Sequence, residues 1–343
     1  MKVQVRQGDT LWYYSQLFSI PLPIIEASNP NVNPHSLTIG QTIEIPGFLE
    51  KDYHIKPNDT LWNLAQTHQL PLDGLQLANP EIDPKELQIG QTLLIPHRVT
   101  DIIITDINHY TYDKMVNDIK HLVSVYPFIQ SQSIGSSVLG KDILELQIGT
   151  GTNLRHINGS FHANEWITTP VIMKFLNQYA LSLTNHEPIR DLHVLSYFQN
   201  TQLSVVPMVN PDGVNLVLKG SEASGEWKEE VISMNDGHRD FSNWKANIRG
   251  VDLNNQFPAL WETETTRKPT SPQPRDFPGK RPLTEPEAIA MANLARQRDF
   301  QIINAFHTQG EVIYWGYQGL EPAHARSIVE EYQRVSDMNR FVI

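Results

Sequence analysis

Cysteine is absent from all 343 residues. That excludes disulfide staples, iron–sulfur clusters and thiolate zinc sites, so any metal must be held by His, Asp and Glu. Runs of Lys or Arg are absent too, and 27 basic residues face 38 acidic ones for a formal net charge of −11. Such a balance disfavours nucleic acid and anionic membrane surfaces, and neither is expected as a partner. No apolar run is long enough to span a bilayer. The start, Met1-Lys2-Val3-Gln4-Val5-Arg6, lacks the apolar core of a secretory signal, so the expected location is cytoplasmic, or cell wall or spore-associated by a route the sequence does not show. What is present is a soluble globular composition, 40% hydrophobic and 19% charged. The length suffices for two or three folding units with buried cores.

The first hundred residues contain an internal repeat. Val5-Arg6-Gln7-Gly8-Asp9-Thr10-Leu11-Trp12 returns as Ile55-Lys56-Pro57-Asn58-Asp59-Thr60-Leu61-Trp62; Asn29-Pro30 returns as Asn79-Pro80, Ile39-Gly40-Gln41 as Ile89-Gly90-Gln91, and Ile45-Pro46 as Ile95-Pro96. One offset relates all four pairs, which marks a duplication. Each copy reads as strand, helix, helix, strand: Asp and Thr offer oxygens to cap a helix near Leu11 or Leu61, and Pro46 or Pro96 stops the closing strand. Trp12 and Trp62 are expected to anchor two small cores.

Both copies, 1–47 and 51–97, resemble LysM modules, which bind N-acetylglucosamine-containing glycans such as peptidoglycan or chitin. The resemblance implies a sugar groove at Gly8, Asp9, Thr10, Leu11, Asn29 and Pro30 in one copy, and at Asn58, Asp59, Thr60, Leu61, Asn79 and Pro80 in the other. Asn58 stands where the first copy has Gly8. The same Asp and Thr residues could equally serve only as turns and caps.

Residues 48–52 link the repeats, and 97–106 link them to an α/β domain expected over 103–343. There Met115 to Tyr126 reads as an amphipathic helix, Ser133 to Ile148 as a hairpin, and Leu203 to Val209 as a strand entering Asn210-Pro211-Asp212-Gly213. Thr284 and Glu287 form a capping-box pattern for a helix reaching Arg298, and a last helix is expected from Pro322 to Asn339. Alternating strands and helices predict a mostly parallel mixed sheet flanked by helices.

Chemistry gathers at Asn158-Gly159-Ser160-Phe161-His162-Ala163-Asn164-Glu165-Trp166. A strand-like run from Leu154 to Ile157 enters it and a helix-like run from Ile167 leaves it, which places His162 and Glu165 at the carboxyl edge of a sheet. An imidazole and a carboxylate three apart can share one metal ion, and His307, at the end of a second apolar run, is the best third ligand.

With N-P-D-G at 210–213 and G-V-D-L-N at 250–254, these motifs resemble the zinc carboxypeptidase family from about Asp113 to the end of the chain. The resemblance implies Zn²⁺ held by His162, Glu165 and His307 with one open position. In family members that clip C-terminal residues an Arg follows the Asn of G-V-D-x-N; here that place is Asn255, which cannot grip a terminal carboxylate as a charged pair. Lys245 falls where the family has a carbonyl-polarising Arg, and Lys245, Arg249, Asn254 and Asn255 are candidates for contacting substrate carboxylates. Combined with LysM modules, the chain is similar to the γ-D-glutamyl-meso-diaminopimelate endopeptidases of spore-forming bacteria, which cut peptidoglycan stem peptides. Peptidoglycan strands and stems are then the expected partners, and no protein partner is implied.

The family's general-base Glu is expected beyond Ile343, because none of Glu311, Glu330 and Glu331 matches its motif. The domain is therefore read as C-terminally incomplete, whether truncated or naturally short, with weak or no hydrolysis expected. The alternative is a catalytically inactive peptidoglycan-binding protein that retains the metal site; a zinc amidase or deacylase on the same scaffold is a third reading.

Overall fold

The structure is a computed structural model and describes every residue except Gln309, Asp337 and Ile343. The first repeat is built from β1 (Lys2–Gln4), α1 (Leu11–Phe18), α2 (Leu22–Ser28) and β2 (Thr42–Glu44), with β1 and β2 antiparallel. The second repeats that order with β3 (Phe48–His54), α3 (Leu61–Thr67), α4 (Leu72–Leu77) and β4 (Thr92–Arg98), its strands again antiparallel. Thr10 and Thr60 cap α1 and α3 by accepting from the amides of Tyr13 and Asn63.

The tryptophans do not anchor these cores. Trp12 is 61% exposed and Trp62 60%. The residues at helical spacing from the cap point inward instead: Leu11, Tyr14, Ser15 and Phe18 in one copy, Leu61, Leu64 and Ala65 in the other. Trp12 and Trp62 follow the first inward residue by one position, about 100° around the helix, and so face solvent.

Module 1 is docked on the larger domain. Gly47 donates its amide to Val125 O at 2.8 Å, at the end of α5 (Tyr112–Val125). Arg98, closing β4, donates to the carbonyls of Phe18 and Thr184 and lies over the Phe48 ring. Met1, Val3, Phe18 and Phe48 share one apolar cluster with Val125, Leu176 and Leu183. Module 2 keeps a core of its own around Ile55, Leu61, Leu75 and Leu93, and joins module 1 through Arg6 and Tyr13, both of which donate to Asp73.

The domain's sheet comprises β5 (Gln130–Ser136), β6 (Asp142–Ile148), β7 (Asn153–Asn158), β8 (Thr201–Val206) and β9 (Ile302–Ala305) in the order β5-β6-β8-β7-β9. It is mixed: β5–β6 and β6–β8 are antiparallel, β8–β7 and β7–β9 parallel. Only β6 runs against the other four strands, so the expected mostly parallel mixed sheet forms, with the reversal coming from the hairpin. Side-chain alternation sends Leu146, Ile148 and Val205 into the cluster with α5 and α6 (Thr168–Asn185), while Ile143 and Val206 pack with Ala288, Met291 and Leu294. Three short helices, α7 (Leu195–Asn200), α8 (Pro211–Lys219) and α9 (Lys228–Met234), flank β8 and the loop beyond it. Then come α10 (Trp261–Thr265) and α11 (Pro286–Gln297).

The expected capping box at α11 does not form. The Thr284 hydroxyl donates to Gln256 Oε1, and Glu287 turns inward to accept from Val138 N at 3.1 Å. Residues His307–Ile343 make a second compact unit. In it β10 (Val312–Trp315) and β11 (Asn339–Val342) pair in parallel around α12 (Ala325–Ser336). The last helix is thus shorter than expected, since Asn339 opens a strand opposite Val312.

Candidate metal centre

The turn after β7 is fixed by hydroxyls. Gly159 leaves the sheet where a side chain would strike Ile172 and Thr168, its Cβ falling 2.8 and 2.9 Å from them. Ser160 follows at φ 49°, a left-handed conformation held in place by its surroundings. Its amide donates to Thr168 Oγ1 at 2.8 Å, its hydroxyl meets Thr169 Oγ1 at 2.7 Å, and Thr168 Oγ1 donates to Glu165 O at 2.9 Å. Asn210, from the N-P-D-G run, ties the turn from outside by donating to Phe161 O and Ala246 O. His162 and Glu165 are consequently buried and rigidly presented, 3.1 Å apart between Nδ1 and Oε2.

The other ring nitrogen of His162 faces Asp252 Oδ1 at 3.3 Å, and Asp252 Oδ2 lies 3.2 Å from Lys245 Nζ. Lys245 also meets Asp276 Oδ1 at 3.2 Å. Burial would raise the Asp252 carboxyl, but the hydrogen bonds and charges of His162 and Lys245 outweigh it and hold it at about 2. Burial would likewise lower Lys245, but Asp252 and Asp276 outweigh it and keep the ammonium above its ordinary value. His162, too, is lifted over the effect of burial by Asp252 and Glu165.

His307 reaches the same edge by strand pairing. β9 lies parallel to β7 with Ala305 opposite Asn158, and Phe306 N donates to Asn158 O at 2.9 Å. The ligand atoms of His162, Glu165 and His307 all lie within 4.8 Å of one another. Two imidazoles and a carboxylate are a zinc-type donor set. The Asp252 carboxylate on Nε2 is the kind of outer partner that orients a metal-binding imidazole, and Nδ1, on the Glu165 side, would be the atom to hold a metal. The residues present therefore fit zinc.

Of the residues expected to contact substrate, Lys245 is brought to the centre through Asp252, whereas Arg249 pairs with Glu285 at 3.6 Å and lies over the Trp227 ring. Asn254 and Asn255 sit on a short 3₁₀ turn, Leu253–Gln256, capped by Asp252. The general base expected beyond Ile343 lies outside the described residues; Glu330 and Glu331 pair with Arg326 and Arg334 on α12. Asp252 and Asp276 were not singled out from sequence. Asp252 stood inside the G-V-D-L-N run, its signal being two positions from Asn254, while Asp276 has no local signal, since the fold alone brings it to Lys245.

In the modules, Asp9 and Asp59 accept from the amides of Arg6 and Lys56, closing the turns. Asn29 and Asn79 are buried and clip the second helix of each copy to its closing strand, through Glu44 and Leu94. Leu11 and Leu61 are core residues. Solvent instead meets Gly8, Thr10, Pro30, Asn58, Thr60 and Pro80, beside two apolar side chains that each copy leaves exposed, Trp12 and Ile39 (68%) or Trp62 and Ile89 (72%).

Comparison with known proteins agrees with this organisation. The zinc carboxypeptidase family model matches residues 115–340, and the LysM domain model matches 3–46 and 53–96. Gamma-D-glutamyl-L-diamino acid endopeptidase 1 of Lysinibacillus sphaericus is 58% identical over 336 residues, covering 98% of this chain and 85% of the relative. The uncharacterized protein YqgT of Bacillus subtilis is 46% identical over 241 residues, covering 70% and 64%. Among solved structures, carboxypeptidase A from Helicoverpa armigera superposes with a TM-score of 0.51 at 21% identity, covering 68% of this chain and 56% of that one. Thrombin-activatable fibrinolysis inhibitor gives 0.54 at 19%, covering 72% and 68%. At such identity these two speak for the fold alone.

Proposed function

We propose, from the premise that the chain belongs to the zinc carboxypeptidase family and carries two LysM modules, that the protein is a peptidoglycan-bound zinc metallopeptidase. Its target is the bond between γ-D-glutamate and a diamino acid, meso-diaminopimelate, in stem peptides. The observation that carries this reading is the joining of a His₂Glu centre to two peptidoglycan-binding modules on one chain. A relative named a gamma-D-glutamyl-L-diamino acid endopeptidase, similar over nearly the whole chain, supports it.

His162, Glu165 and His307 would hold the zinc, which supplies Lewis-acid polarisation of the scissile carbonyl. Asp252 keeps the His162 ring in one orientation. The Lys245 ammonium, permanently charged between Asp252 and Asp276, offers a point charge to a substrate carbonyl or carboxylate. Asn254 and Asn255 contribute neutral hydrogen-bonding groups where a terminal-carboxylate clamp would carry an Arg, which turns the site from plain C-terminal trimming towards stem peptides. In the modules, Gly8, Thr10, Trp12 and Ile39, with their counterparts Asn58, Thr60, Trp62 and Ile89, face the glycan, which tethers the peptidase to its polymer. Wall association follows from that tether; among the described residues no helix is long and apolar enough to cross a membrane.

Defined muropeptides test the assignment. Slow release of a diamino acid product, lost with chelator and restored by zinc, is the expected result. Retention on peptidoglycan with no cleavage of any stem peptide would instead favour a binding protein that keeps a metal site.

A further inference from the structure

The modules are attached at the end of α6 remote from the metal centre. That helix begins at Thr168, just after Glu165, and ends at Asn185; 18 residues at the α-helical rise span roughly 27 Å. Its first turn supplies the hydroxyls that freeze the metal-site turn. Its last turn receives the modules: Thr184 O accepts from Arg98 at 3.0 Å, Asn185 Nδ2 donates to Val99 O at 3.0 Å, and His186 Nε2 meets Ser19 O at 3.2 Å. Gly47 packs so tightly on Thr184 that a Cβ would fall 2.9 Å from it.

Within module 1 the attachment occupies one end only. Met1, Phe18 and Gly47 lie there, next to Phe48 at the start of the second module, with the amino terminus donating to Ile45 O. β1 and β2 lead away from it to the turns at 6–10 and 38–41, and α1 begins at those turns and returns to Phe18. The exposed Trp12 and Ile39 belong to that far end. The docking is continuous packing with a cation on two helix-terminal carbonyls, not a loose linker.

We propose that the modules do not present the stem peptide of the sugar they hold, and that the metal centre acts on stems carried by distant sugars, about the length of α6 or more away. In the substrate class assigned above, the scissile bond follows the second stem residue. Two extended residues reach roughly 7 Å, and the side-chain linkage of the glutamate adds only a few bonds, far short of the helix. The identity of the bond rests on the proposed function; the separation rests on the fold alone. The modules thus act as an anchor about which the centre samples neighbouring stems, and short muropeptides gain nothing from them.

Two measurements test this. Because the chain has no cysteine, Ile167→Cys, at an exposed position beside the metal-site turn, takes a single spin label. With a nitroxide-bearing N-acetylglucosamine oligomer bound, the expected label-to-label distance is beyond roughly 25 Å, the α6 length, and one centred below about 15 Å overturns the separation. In the second, the free stem tripeptide and the same tripeptide on its disaccharide are compared in the intact protein. Equal kcat/KM for the two compounds is expected. A tenfold preference for the sugar-bearing form would overturn it. Cleavage of neither compound would count against the assigned bond, while the distance measurement still decides the placement.

Discussion

Arg98→Ala probes how the modules are held. The native guanidinium donates to Thr184 O at 3.0 Å and to Phe18 O, and stands 4.8 Å from the Phe48 ring centroid. Those carbonyls lie at the C-terminal ends of α6 and α1, where backbone acceptors lack helical partners and favour a cation. Hydrogen bonds to a charged group contribute about 1.5–3 kcal/mol each, and a ring contact about 0.5–1 kcal/mol. Against this stands the desolvation that pulls the Arg98 pKa below its ordinary value. The net loss expected is about 3 kcal/mol, within the range for a broken buried polar network. Urea denaturation followed by far-UV circular dichroism and tryptophan fluorescence measures it. Since module 1 shares one apolar cluster with α5 and α6, the loss should appear in the main transition. Arg98→Lys keeps the charge but lacks the fork that reaches two carbonyls, so it should fall between. A loss below about 1 kcal/mol for Arg98→Ala would refute the clamp.

Asp252→Asn should weaken zinc binding about 10–100-fold, because the charge behind the His162 ring is removed; competition against a chelator reads it, and unchanged affinity would rule out the orienting role. Burial raises the Glu287 carboxyl to about 7 from 4.5, so the folded state holds its proton more tightly than the unfolded one. Stability from this group therefore falls as pH rises through that window, by on the order of 3 kcal/mol, and Glu287→Gln should flatten the difference between pH 5 and about pH 8 in denaturation curves. An unaltered pH dependence would show that another group carries it. Tyr14→Ala should cost about 3–5 kcal/mol while Trp12→Ser costs under about 0.5 kcal/mol but lowers retention on peptidoglycan; the reverse order in thermal melts would contradict the burial pattern.

Local rules placed most elements. Caps at Thr10 and Thr60, the hairpin within 133–148 and the helix within 115–126 are decided by neighbours a few residues away, and they stand where sequence places them. The failures have two causes, competition from distant partners and the phase of a helix about its own axis. Thr284 and Glu287 have the spacing of a capping box, yet Gln256 and Val138 take their hydrogen bonds. Trp12 and Trp62 have the bulk of core residues, but the phase set by Leu11 and Leu61 turns them outward.

By itself the sequence determined the duplication, the mixed α/β character of the remainder and the donor set His162, Glu165 and His307. A repeat offset and a strand-to-helix junction are carried by adjacent residues. Only the tertiary structure decided that Asp252 stands behind His162, that Lys245 is held between Asp252 and Asp276, and that Arg98 fastens the modules to the far end of α6. These contacts join residues 7 to 90 positions apart, and no local periodicity encodes them. They arise because burying charged groups demands partners, and the folded chain brings those partners within reach.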